Sequence, residues 1–226
     1  FCLSLPHTPP TKAGQKNATL EALGEIKRQP LLLLFLLAVP ISCIHQFYFV
    51  HTESFLHHKL QAPAFFSSIF GVGGGGFMTI GQMTEVLVIG FIPTLMKRFS
   101  KRGILSLGLI AYAARMALFA YCADSSAALL VGVALHGVCF GCFIFVCFML
   151  VDEYTSVDVR ASAQNLYNLV IVGVGVIVGS KIAGCVSEWA AGDYRKLFSV
   201  PMWASIVCLL ILLVAYPRKP TTPHHS

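Results

Sequence analysis

Six stretches of this chain are each long and apolar enough to cross a lipid bilayer, at approximately 31–53, 66–96, 103–122, 127–151, 161–185 and 197–216. A helix needs about 20 mainly apolar residues to span ~30 Å of hydrocarbon. Within that layer the backbone must satisfy its own hydrogen bonds, which restricts such runs to helices. The predicted fold class is therefore all-α, a polytopic bundle of six transmembrane spans. Composition agrees: 56% of the residues are hydrophobic and 12% charged, where an ordinary globular domain has about 25% charged residues.

The formal net charge of +6 raises the question of a nucleic-acid partner. The basic residues, however, form short clusters between apolar runs and no continuous stripe, which excludes that class. Eleven of the sixteen basic residues fall in the first 30 residues, the KRFSKR connector at 97–102, the 152–160 connector and the C-terminal tail. The alternate connectors hold only Lys59, Arg195 and Lys196. Positive charge concentrates on the cytoplasmic side of membrane proteins, so both termini are expected in the cytoplasm of a cell (inner or plasma) membrane protein. Three regions result: a connector over 1–30 compatible with a short surface helix, the bundle over 31–216, and a tail over 217–226. The opening FCLSLPHTPP has neither an initiator Met nor a basic region before an apolar core. It reads as the end of a preceding helix, and the sequence is expected to be a piece of a longer protein.

The eight cysteines lie almost entirely within the apolar runs, Cys139 and Cys142 among them, and read as small packing residues. His51, His57 and His58 have no completing carboxylate or thiolate, so no metal site is expected. Motifs of the H-E-x-x-H, G-x-S-x-G and G-x-x-x-x-G-K types are missing from the sequence. An enzyme is not expected, and no cofactor is called for.

What the runs do contain is a small set of ionisable side chains: His45, Glu85, Arg115, His136 and Lys181. A charge at the centre of a span costs about 2.5–3.5 kcal/mol on insertion scales, so each needs a partner or a purpose. Counted from the basic connector at 1.5 Å per residue, Glu85 and Arg115 both lie roughly 18–20 Å deep. His136 falls in the same layer, with His45, Gln46 and Gln82 slightly nearer the outer face. Gln82 and Glu85 are three residues apart and share a helix face, which belongs away from lipid. An amide beside a carboxylate suits a ligand carrying hydroxyl and ring-nitrogen groups. The competing reading makes Glu85 and Arg115 a buried ion pair that fixes packing and His136 a hydrogen-bonded core residue. Lys181 snorkels to the interface.

Three stretches in order, IGQMTEVLVIGFIPTLMKRFSKRGILSLGLIAYAARMALFAYCAD, LHGVCFGCF and VRASAQNLYNLVIVGVG, resemble the C-terminal half of the nucleoside:proton symporter family of the major facilitator superfamily, over about residues 30–215. The resemblance implies half of a major facilitator fold, completed by an N-terminal six-helix half, with a nucleoside held between the halves and a proton as coupling ion. Carried over residue by residue, it makes Gln82 and Glu85 the substrate-contacting pair and Phe140 the aromatic that packs on the ligand. Gln46 aligns with a polar contact position, and His136 supplies a further hydrogen bond. Proton coupling falls to Glu85, restrained or balanced by Arg115. Gly141 stands where the family pattern has Asp, which leaves Glu85 as the one central acid of this half. That departure keeps open a carrier for another small polar solute such as a sugar. A truncated, non-transporting membrane scaffold is the remaining alternative.

Overall fold

The computed structural model describes residues 18–61, 64–71 and 73–217. Residues 1–17 of the connector expected over 1–30, and 218–226 of the expected tail, lie outside the described residues. All regular elements among those described are helical, and six helical runs are long and apolar enough to span a membrane.

A short helix α1 (Ala18–Ile26) precedes the first span, α2 (Leu31–Lys59). The second predicted span is two helices, not one: α3 (Ala64–Phe70) and α4 (Gly73–Arg98). The break falls at Gly71 and Gly73, whose φ angles of 90° and 76° lie in the left-handed region that favours glycine. The glycine run forms the first turn of α4 and brings it against α2. A Cβ at Gly74 would stand 1.8 Å from the Glu53 carbonyl oxygen. The third span is α5 (Lys101–Tyr121), started by Ser100, whose side chain accepts from the Gly103 amide.

The fourth and fifth spans are each interrupted by a π-helical turn. In the fourth, α6 (Ser126–Cys139) runs through a π segment at Phe140–Phe145 into α7 (Val146–Tyr154). In the fifth, α8 (Arg160–Asn168) passes through Leu169–Val174 into α9 (Gly175–Ala190). Ala191 and Gly192, both at positive φ, end α9. Asp193 then caps the sixth span, α10 (Tyr194–Ala215), by accepting from the Arg195 and Lys196 amides.

Packing pairs α5 with α10, α2 with α9, and α4 and α5 with α6. Burial is uneven. Of the most apolar stretch of each span, 61% is buried in 126–154 but only 22% in α4 and 22% in 160–190. Those two spans carry faces that nothing among the described residues covers, including Val86, Leu87, Val172 and Ile177. At the end of the bundle bearing the 97–102 connector, Lys101 bonds Glu153 and the Tyr154 hydroxyl. There α1 docks on the turn between α7 and α8, where the Glu25 carboxylate accepts from the Ser156 amide at 2.9 Å and its hydroxyl at 2.7 Å.

Candidate functional site

The polar layer expected from the depth count is assembled where α4 and α6 touch. Small residues make the contact possible. A Cβ at Gly137 of α6 would lie 2.4 Å from the Thr84 carbonyl carbon and 2.5 Å from the Glu85 nitrogen. A Cβ at Gly81 would lie 2.9 Å from that of His136. The Thr84 hydroxyl is 2.7 Å from the Gly81 carbonyl of its own helix and 2.8 Å from the Ala134 carbonyl of α6, so it ties the two backbones together. With the helices at this separation, Glu85 reaches His136, with Oε2 3.2 Å from Nε2.

The opposite nitrogen of the same imidazole, Nδ1, accepts from Arg115 Nη1 at 3.0 Å. Arg115 belongs to α5 and is completely buried. Its guanidinium carbon sits 4.1 Å from the centre of the Tyr48 ring and 5.2 Å from that of Tyr112. Aromatic faces are an electrostatic substitute for solvent around a cation. The Arg115 Nε and Nη2 atoms and the Tyr48 hydroxyl find no hydrogen-bond partner among the described residues. Tyr48 also stacks on His136, with centroids 5.0 Å apart. A second imidazole completes the cluster: His45 Nδ1 is 2.8 Å from the Tyr112 hydroxyl, and its ring lies 5.1 Å from His136 and 5.8 Å from Phe140. Phe49 closes one side by setting its edge against both histidines.

Five of the residues singled out by sequence thus come together: His45, Glu85, Arg115, His136 and Phe140. The direct Glu85–Arg115 ion pair is corrected, because His136 stands between the two charges. Gln82 is exposed on α4 and makes no hydrogen bond among the described residues. Gln46 is turned toward α9, where its amide donates to the Ser180 hydroxyl at 3.1 Å. Tyr112 had no place in the sequence reading, and Tyr48 had none as a partner of Arg115. Their signal was spacing: Tyr112 precedes Arg115 by three residues and Tyr48 follows His45 by three, so each shares a face with its neighbour in the cluster. At Gly141 a Cβ would meet Val88 Cγ1 at 2.7 Å; the space an acid would need there is filled by α4.

Chemically, the cluster is one carboxylate, one guanidinium and two imidazoles within the apolar layer. The Glu85 side chain is 24% exposed while that of His136 is 3% exposed, so the acid is the member that opens toward the uncovered face. Phe140, where the π segment begins, donates its amide to both the Gly137 and His136 carbonyls. π turns inside α-helices are frequent at functional sites.

Comparison with known proteins identifies the family. The family model described as nucleoside H+ symporter matches residues 1–221. The chain belongs to that family. It is 29% identical over 217 residues to xanthosine permease of Escherichia coli (strain K12), covering 91% of this chain and 50% of that protein. It is 29% identical over 231 residues to nucleoside permease NupG of the same organism, covering 97% and 55%. The putative nucleoside transporter YegT is 30% identical over 200 residues, covering 83% and 44%. Among solved structures, the crystal structure of nucleoside transporter NupG superposes with a TM-score of 0.75 at 25% identity, over 96% of this chain and 56% of that one. The family member described here therefore has the six-span half of a major facilitator fold, and the chain spans about half the length of the curated relatives it matches.

Proposed function

We propose that this chain is one six-helix half of a proton-coupled nucleoside transporter, the half that the sequence resemblance places at the C-terminal end. The observation that carries the reading is Glu85: a carboxylate at mid-depth, hydrogen-bonded to His136 on one side and partly open on the other. A nucleoside presents ribose hydroxyls and base nitrogens. Glu85 and the exposed Gln82 amide offer acceptors and donors to such groups, and Phe140 offers a ring face. Gln46 would join them where a ligand competes with Ser180 for its amide. Proton exchange at Glu85, as the site faces alternate sides of the membrane, links the gradient to uptake.

A second six-helix half completes the cavity. The uncovered faces of α4 and of the 160–190 span support this, as does the half-length match to the relatives. The distribution of basic residues favours both ends in the cytoplasm of a cell membrane protein that performs no chemical conversion of its substrate. Carriage of a different small polar solute is the second reading, and one observation favours it: Gly141 and Val88 occupy the place of the family's Asp.

The test is uptake of labelled uridine and adenosine by cells expressing the intact protein, across an imposed pH gradient. Wild type should accumulate nucleoside only with the gradient, and Glu85→Gln should lose that accumulation. Competition by sugars in place of nucleosides would establish the second reading.

A further inference from the structure

Arginine has five N–H donors and no acceptor. The 3.0 Å contact from Arg115 Nη1 to His136 Nδ1 therefore requires a bare lone pair on Nδ1. The ring proton must then sit on Nε2, the nitrogen 3.2 Å from Glu85, where it can be donated to the carboxylate. Both hydrogen bonds are satisfied by one tautomer only.

We propose that Arg115 is a positioning residue that holds His136 as the neutral Nε2–H tautomer, so that His136 donates to Glu85 and does not itself carry the transported proton. The inference rests on the reading of Glu85 as the proton-exchanging acid and assigns the roles around it. A second proton on His136 would have to go to Nδ1, displacing the guanidinium and setting two cations side by side in an apolar layer, where like charges repel strongly. Among the groups around the ring, Arg115 on α5 is the cation that opposes it; Tyr48 of α2 stacks on the ring, His45 of α2 lies 5.1 Å away and bonds Tyr112 of α5, and Glu85 on α4 is the one acid.

The same geometry explains how Glu85 can be neutralised without stranding its partner. The Arg115 charge rests on the faces of Tyr48 and Tyr112 and on the His136 lone pair, none of which depends on the protonation of Glu85. When the carboxyl takes up a proton, the Arg115–His136 bond stays, the tautomer stays, and only the far end of the relay changes. His136 thus acts as a fixed donor, and Glu85 is free to exchange its proton on the open side.

The deciding experiment is the solid-state 15N spectrum of histidine-labelled intact protein in lipid bilayers, with the His136 signals assigned by their loss in His136→Gln. The expected result is one protonated nitrogen at Nε2 and one unprotonated nitrogen at Nδ1, unchanged as the pH is lowered from neutral through the range in which uptake changes. An Nδ1–H tautomer, or an imidazolium that appears over that range, would overturn the proposal from the wild-type spectrum alone. In Arg115→Met the single tautomer should be lost, giving a mixture or an imidazolium, and the pH profile of uridine uptake should gain a second titrating group. Arg115→Lys, which still donates, should restore both. A wild type that shows the Nε2–H tautomer but takes up no nucleoside would sink the transporter reading and leave the tautomer assignment standing.

Discussion

Gly137 sets the distance on which the polar cluster depends. A methyl group there meets the backbone of Thr84 and Glu85 inside 2.6 Å, and backbone cannot step aside as a flexible side chain can. Gly137→Ala should separate α4 from α6 and lower stability by about 1–3 kcal/mol. Thermal unfolding of the purified protein in detergent measures this, and an unchanged midpoint would mean the helices sit farther apart than described. Gly141 poses the complementary question. Restoring the family's acid by Gly141→Asp should destabilise the protein by a similar amount, because Val88 is β-branched and stiff and stands 2.7 Å from the new Cβ. Adding Val88→Ala should recover most of the loss; failure to do so would point to the charge, not the volume, as the obstacle.

Helix α1 shows how a short element can be held by one side chain. It is nine residues long, below the length at which an isolated helix is stable in water, and two of its apolar residues, Leu20 and Leu23, are exposed. The Glu25 carboxylate takes both hydrogen-bond donors of Ser156, and Ala22 and Ile26 bury beneath it. Hydrogen bonds to a charged group are each worth about 1.5–3 kcal/mol net, less for a partly solvated pair. Glu25→Ala should therefore release α1, seen as faster amide hydrogen exchange over 18–30 with no change in the six spans. The two π segments make a different point at this scale. FGCFIF and LVIVGV read as ordinary apolar stretches of a span, and hydropathy carries no mark of a wider turn.

Across the whole molecule, the arrangement of spans predicts a topology that labelling can check. Single cysteines placed in a version lacking the exposed native thiols should react with an impermeant reagent from outside at Asp124 and Asp193, and only after permeabilisation at Ser100 and Asp158. The opposite pattern would reverse the orientation drawn from basic residues. The least buried spans matter at the same scale. Lipid solvates apolar side chains as readily as a protein core does, so exposed Val86, Leu87 and Ile177 are tolerated in the membrane with or without a covering half. The polar residues on such faces are less comfortable: Gln82 has no partner among the described residues, and a second half or a ligand would supply one.

The amino-acid sequence by itself determined six spans and that Glu85, Arg115 and His136 fall within one layer of them. These follow from run length and from a fixed rise per residue, both local properties of a contiguous stretch. The family too was readable, from IGQMTE, the RMALFAY that follows and RASAQN in order. Only the tertiary structure decided which way each span is turned about its axis. In α2, which is apolar nearly all round, nothing in the residue pattern separates the azimuth of His45, in the cluster, from that of Gln46, on Ser180. For the same reason the placing of His136 between Glu85 and Arg115, and of Tyr48 and Tyr112 against the guanidinium, was hidden. A membrane removes the polar–apolar contrast that tells a soluble helix which face to bury; what orients these helices is the fit of glycine against backbone and of one polar side chain against another, which exists only once they pack.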